Sequence, residues 1–149
     1  MEELGATASA VISFSEKLEE SSSRFYEKLA ATYPAHKDLF DSFARDGRKN
    51  RTLLVRTYQE TVTDALETGY SFKGLELRSF VPDEQLQEGT GLKSALESAV
   101  ALEKEAARFY TDISERSKTL LSTIPAAFKK VAENRRGRIQ KLEALSSTP

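Results

Sequence analysis

The sequence has no cysteine, no tryptophan and a single histidine, His36, among its 149 residues. Without cysteine there can be no disulfide, thiol nucleophile, zinc knuckle or iron–sulfur cluster. With one histidine, any mechanism that needs two imidazoles from one chain is excluded. No apolar run approaches the roughly 18 residues of a membrane span. The N-terminal MEELGATASA lacks a basic stretch followed by an apolar one, so it does not read as a secretory signal. Neither charge sign is in excess, with 23 acidic residues against 22 basic ones and a formal net charge of −1. That balance gives no electrostatic case for nucleic acid or an acidic membrane surface. Phosphate loops, Ser-His-Asp or Cys-His sets and glycine-rich nucleotide turns are also missing. A cytoplasmic protein with neither nucleic acid nor membrane as partner is expected.

What is present is helical periodicity. Apolar residues recur at helical spacing over four segments, about 8–32, 37–67, 92–118 and 125–145. Pro34 breaks the chain after the first. Gly69, Gly74, Pro82, Gly89 and Gly91 mark a long connection over about 68–91, with a short helix expected near Asp83–Gln87. Ser122 or Thr123 caps the last helix, with Pro125 in its first turn. Short links between helices one and two and between three and four, with a long link in the middle, predict an all-α fold. The domain spans 1–149 as an antiparallel four-helix bundle with one crossover between helices two and three.

The chain also repeats itself. LEESSSRFY at 18–26 returns as LEKEAARFY at 102–110, an offset of 84 residues. Phe40, Ala44 and Leu54 return as Phe128, Ala132 and Leu142, each 88 residues on. Two helix pairs related by duplication account for this pattern.

At about 100° per residue, Val11, Phe14, Leu18, Ser22, Phe25, Tyr26 and Leu29 share one face of the first helix. Glu19 stands at the edge of that face, and Glu103 takes the same place beside Tyr110 on the third helix. A lone boundary glutamate is usually solvated, but its repetition in both halves points to a central site.

Leu-Glu-x5-Phe-Tyr on a first helix, repeated on a third, resembles the rubrerythrin branch of the ferritin-like superfamily. The resemblance covers nearly the whole chain in helix order, crossover and duplication. It implies a di-iron site in which one Glu from each of helices one and three binds metal. Helices two and four would each add a Glu-x-x-His. Glu19 and Glu103 match the first kind of position. The second kind falls on Gly47-Arg48-Lys49-Asn50 and on Arg135-Arg136-Gly137-Arg138, so both bridging carboxylates and both imidazoles are replaced. His36 lies in the loop before helix two, too far along the chain to substitute.

On the fourth helix, Phe128, Val131, Ala132, Ile139 and Leu142 define the apolar arc. Arg135 falls near its middle and Arg138 towards its edge, where a long side chain can snorkel to water. A guanidinium buried without a partner is costly, and Glu19 and Glu103 are the partners within reach. Two carboxylates and two arginines sum to zero charge, as do the four carboxylates and two ferrous ions that the resemblance implies. An ion-pair network in place of the metal is expected. Arg51 also falls on an inner arc, where it either joins the network or reaches out along its stem. Tyr26 and Tyr110 stand where the resemblance places tyrosines close to the carboxylates.

The reading favours a non-catalytic domain, without cofactor, that binds a protein, a small molecule or its own copy. Ser22, Gly47 and Asn50 are small inner residues with room for a pocket. The competing reading is an iron or manganese carboxylate protein handling peroxide, electrons or iron storage. It would need Glu16, Glu20 or Asp46 as substitute ligands, and these fall on outer arcs. A homodimer is expected by analogy and from the apolar crossover residues Tyr70, Phe72, Leu75, Leu77 and Phe80.

Overall fold

Helices form where the apolar spacing predicts them. The computed structural model describes residues 6–61, 71–72, 91–116 and 123–146. Within them α1 spans Ala8–Thr32, α2 Lys37–Thr61, α3 Leu92–Arg116 and α4 Thr123–Ser146. One element has no sequence signal: β1 (Ala6–Thr7) pairs antiparallel with β2 (Ser71–Phe72), Ala6 opposite Phe72 and Thr7 opposite Ser71. Two residues per strand are too few to show the alternation by which strands are recognised. The expected short helix near Asp83–Gln87 lies outside the described residues. So do Ser122, the apolar Tyr70, Leu75, Leu77 and Phe80, and the expected second-helix residues beyond Thr61. None of the described helices is long and apolar enough to cross a membrane.

Pro34 sets the first hairpin. A residue preceding proline is pushed away from helical backbone, and Tyr33 accordingly has φ −124° and ψ 77°. The Tyr33 N–H still donates to the Leu29 carbonyl at 2.8 Å, and the His36 N–H donates to the Tyr33 carbonyl at 3.0 Å. This closes a 3-10 turn over Pro34–His36 and sends α2 back along α1. His36 is held in that turn, its ring edge-on to Phe40 at 6.3 Å. The α1–α2 and α3–α4 hairpins are the most closely packed pairs, and α2 meets α4 across the bundle.

The core has three tiers. One apolar cluster gathers Val11, Leu18, Leu54, Phe109, Tyr110, Ile113, Phe128 and Val131. A second gathers Phe25, Tyr26, Leu29, Phe40, Phe43, Leu96, Leu102 and Leu142. Along every helix the residues between the two clusters are polar or small. They are Glu19 and Ser22 on α1, Gly47 and Asn50 on α2, Glu103 on α3, and Arg135 and Arg138 on α4; all are buried. The duplication shows in the packing as well as the sequence. Tyr26 stacks on Phe40 at 6.2 Å, and its counterpart Tyr110 lies 6.1 Å from Phe128, counterpart of Phe40.

Two substitutions test this packing in opposite directions. A Cβ at Gly137 would meet nothing within 4 Å, so Gly137→Ala is expected to stabilise the domain by roughly 0.5–1 kcal/mol through helix propensity alone. Leu142 is fully buried, and Leu142→Ala is expected to cost about 2–5 kcal/mol. Urea melts of the two variants read both effects.

Candidate functional site

The middle tier is organised around one side chain. Arg135 sits on α4 between Val131 and Leu142, so its backbone is fixed among apolar neighbours and its stem must enter the core. Its guanidinium reaches both glutamates that the repeat singles out. Nη1 donates to both oxygens of Glu103, at 2.8 Å to Oε2 and closer to Oε1. Nη2 donates to Glu19 Oε2 at 2.5 Å and to Ser22 Oγ at 2.8 Å. The side chains of Arg135, Glu19 and Glu103 are 0% exposed. A planar fork with donors at fixed angles suits this role, in which one cation spans carboxylates from α1 and α3.

Arg138 is also buried, at 2% exposed. Its position towards the edge of the helical arc leaves snorkelling open, but the side chain turns inward. Nη1 donates to Glu103 Oε1 at 3.1 Å and Nη2 to the Phe43 carbonyl at 3.0 Å. The guanidinium lies 5.3 Å from the Phe43 ring centre and 5.6 Å from that of Tyr26, within cation–π range. Arg51 does not join the cluster. It stays at the surface and pairs with Glu16 at 3.2 Å and Glu20 at 3.0 Å. Extending along its stem costs less than adding a third buried cation to a cluster already neutral.

The other inner residues complete the cluster rather than leave it hollow. Asn50 donates to Glu19 Oε1 at 3.3 Å and to Asn134 Oδ1 at 3.1 Å. Asn134 carries no sequence signal beyond adjacency to Arg135. Ser22 takes a hydrogen bond from Arg135 and donates to the Glu19 carbonyl at 3.2 Å. Gly47 lets α2 approach α1 closely, because a methyl group there would collide with Ser23 Oγ. A surface cleft of about 180 Å³ lies beside Ser23 and Gly47, and Ser22 and Asn50 do not line it. Of the small residues expected to leave a central pocket, Ser22 meets the Arg135 guanidinium, Asn50 meets Glu19 and Asn134, and Gly47 opens onto this cleft instead.

The two tyrosines, equivalent by sequence, behave differently. Tyr110 donates to Glu19 Oε2 at 2.5 Å. The Tyr26 hydroxyl is buried and, unlike that of Tyr110, donates to no carboxylate among the described residues. Glu103, related to Glu19 by the repeat, is engaged by the two arginines, and Arg138 stands beside Tyr26. Burial, and then the charge of Glu19, hold the Tyr110 phenol well above its ordinary pKa. Burial, and then Glu103, do the same to Tyr26. Burial pulls the Arg135 pKa down, but Glu103 and Glu19 together outweigh it and hold it well above its ordinary value. The tyrosines therefore stay neutral donors and the arginine stays charged.

No protein-family profile matches the sequence, and no curated protein matches it. Comparison with solved structures is informative. The crystal structure of a candidate ferritin-like diiron-carboxylate protein from Thermotoga maritima superposes with a TM-score of 0.72. The alignment covers 97% of both chains at 20% sequence identity. This chain has the ferritin-like fold. In ferritin-like di-iron proteins the core carboxylates come from all four helices, and histidines come from two of them. Here the buried carboxylates among the described residues are Glu19 and Glu103, and α4 contributes cations. Among the described residues, no group of three or more His, Cys, Asp or Glu side chains is placed to hold a metal ion.

If the cluster is a closed set, removing one member should be far worse than removing all. Arg135→Leu is expected to cost roughly 3–5 kcal/mol, because it orphans buried carboxylates. Replacing Glu19, Glu103, Arg135 and Arg138 together with Leu or Gln should cost much less than the four single changes summed. Additive single effects below about 1 kcal/mol would show instead that these residues are solvated. The tyrosines give an internal control. Tyr110→Phe should cost about 1.5–3 kcal/mol, the worth of a hydrogen bond to a charged group, and Tyr26→Phe less than about 1 kcal/mol.

Proposed function

We propose that this ferritin-like domain is a non-catalytic binding or interaction protein in which a buried ion-pair cluster stands in place of a di-iron centre. The observation that carries this reading is the engagement of all four carboxylate oxygens. Glu19 Oε2 takes Arg135 and Tyr110, Glu19 Oε1 takes Asn50, Glu103 Oε1 takes both arginines, and Glu103 Oε2 takes Arg135. A metal ion there would have to displace a guanidinium that cannot lose its charge, and two cations would then compete for the same oxygens. The donor set is also wrong for iron or manganese, since α2 and α4 offer glycine, amide and guanidinium where carboxylate and imidazole are needed. The residues present do not fit a di-metal centre.

The rubrerythrin-like ancestry suggested by the repeated Leu-Glu-x5-Phe-Tyr remains part of this proposal, as does a homodimer. Redox or iron-storage function through substitute ligands finds no support in the geometry. Glu16 and Glu20 are tied to Arg51 on the outer surface, and the helical wheel puts Asp46 on an outer arc of α2.

Protein purified without chelator is expected to carry no stoichiometric iron or manganese by elemental analysis and to show no ferroxidase activity. Two metal ions per chain, lost on changing Glu19 and Glu103, would overturn the proposal.

A further inference from the structure

The duplicated halves carry equivalent grooves on their outer faces, and the two have diverged. Between α1 and α2 the cleft of about 180 Å³ is walled by Glu20, Glu27, Arg48 and Arg51. Between α3 and α4 the groove is about 590 Å³ and is walled by Lys104, Thr111, Arg136 and Ile139, with Ala107 on its floor. The repeat offsets make these four pairs equivalent: Glu20 with Lys104, Glu27 with Thr111, Arg48 with Arg136, and Arg51 with Ile139.

In the first half the two α2 arginines of the cleft hold carboxylates of α1 across it, Arg48 with Glu27 and Arg51 with Glu20. These pairs draw the walls together. In the second half the same positions do the opposite. Arg136 meets only the hydroxyl of Thr111, Lys104 adds a cation where Glu20 supplied an anion, and Ile139 puts an apolar side chain where Arg51 stood. Arg108, Asp112 and Glu115 also line this groove: Arg108 binds Glu105 at 2.8 Å, Asp112 takes Arg116 at 2.9 Å, and Glu115 stands at its far end, one helical turn beyond Thr111. The result is a groove with an apolar floor, the aliphatic stems of Lys104 and Arg136 along its walls, and two cationic heads that form no ion pair with a carboxylate among the described residues.

We infer that the α3–α4 groove binds an amphipathic anion, an apolar chain ending in a single carboxylate. Its head meets Lys104 and Arg136, and its chain lies along Ala107 and Ile139. The volume falls within the range of roughly 300–1,000 Å³ usual for small-ligand sites, and the equivalent cleft of the first half falls below it. This rests on the reading of the protein as a binding domain but uses none of the core residues behind that reading.

The test is a titration of the isotope-labelled full chain with sodium decanoate, followed by amide chemical shifts. Saturable shifts are expected around Lys104, Thr111, Arg136 and Ile139. Acetate, which is the head alone, and decanol, which is the tail alone, should bind roughly tenfold more weakly or worse. Lys104→Gln with Arg136→Gln should weaken decanoate by a similar factor at unchanged melting temperature, whereas Arg48→Gln should not. Absence of saturation up to about 1 mM, shifts centred elsewhere, equal binding of decanol, or full binding by the double variant would each overturn the inference. Elemental analysis of the same sample separates this outcome from failure of the metal-free reading.

Discussion

Everything at the centre of this bundle depends on Arg135 reaching two glutamates at once. Glu19 and Glu103 come from different halves of the duplicated chain, and both are fully buried. Neither can remain charged there without a cation, and the penalty for an isolated buried ion is large. One guanidinium, placed by α4 and held at both ends, satisfies both halves. Arg138 supplies the second positive charge and brings the cluster to neutrality. Because each member's burial is tolerable only when the others are present, the tier constrains the register of all four helices. Helix α1 must present Glu19, α3 must present Glu103, and α4 must stand opposite both.

The helices accommodate this arginine by asymmetry. By the repeat offset the position equivalent to Arg135 on α2 is Gly47, the smallest residue opposite the largest. Asn50 stands opposite Arg138 in the same way. Had both halves kept large cations at these positions, the tier would hold more positive charge than two carboxylates balance. Gly47 instead lets α2 close on α1, with Ser23 Oγ filling the space a side chain would need and donating to the Ala44 carbonyl at 3.1 Å. The asymmetry spreads to the tyrosines. Glu19 Oε2 accepts from both Arg135 and Tyr110, whereas the oxygens of Glu103 take the two arginines and no tyrosine.

Much of this was legible in the sequence because helical periodicity is a local signal. The start and end of α1 and the start of α2 follow from apolar spacing and Pro34. The inward direction of Glu19, Glu103 and Arg135 follows from the helical wheel combined with the repeat. Where the wheel was ambiguous, long side chains decided. Arg138 and Arg51 both stand on inner arcs, and their stems are long enough to go either way. What separates them is partners in space: Glu103 and the Phe43 carbonyl for one, Glu16 and Glu20 for the other. Such pairings are set by how helices from distant parts of the chain meet. Asn134 and the different setting of the Tyr26 hydroxyl were invisible for the same reason.

On the proposed reading, a guanidinium where a di-iron protein holds metal changes what the core can do, not only what it contains. A metal site keeps coordination positions open, exchanges ligands and carries redox states. A guanidinium with a pKa held above its ordinary value by two carboxylates has a fixed charge and saturated geometry. It offers neither a proton to transfer nor an empty orbital. Apolar tiers flank the cluster on either side, and the side chains of Glu19, Glu103 and Arg135 are fully buried. On the proposed reading such a core serves as a scaffold, and function lies on the surface. The outer faces of the duplicated halves differ in chemistry as well. Glu20 against Lys104, Glu27 against Thr111 and Arg51 against Ile139 are changes of charge sign or polarity at matched positions. The buried positions Phe40 and Phe128, Ala44 and Ala132, and Leu54 and Leu142 have kept their identity. The two halves have therefore kept their apolar packing positions while diverging both in the buried middle tier, with Gly47 against Arg135 and Asn50 against Arg138, and on the outer faces that a partner would meet.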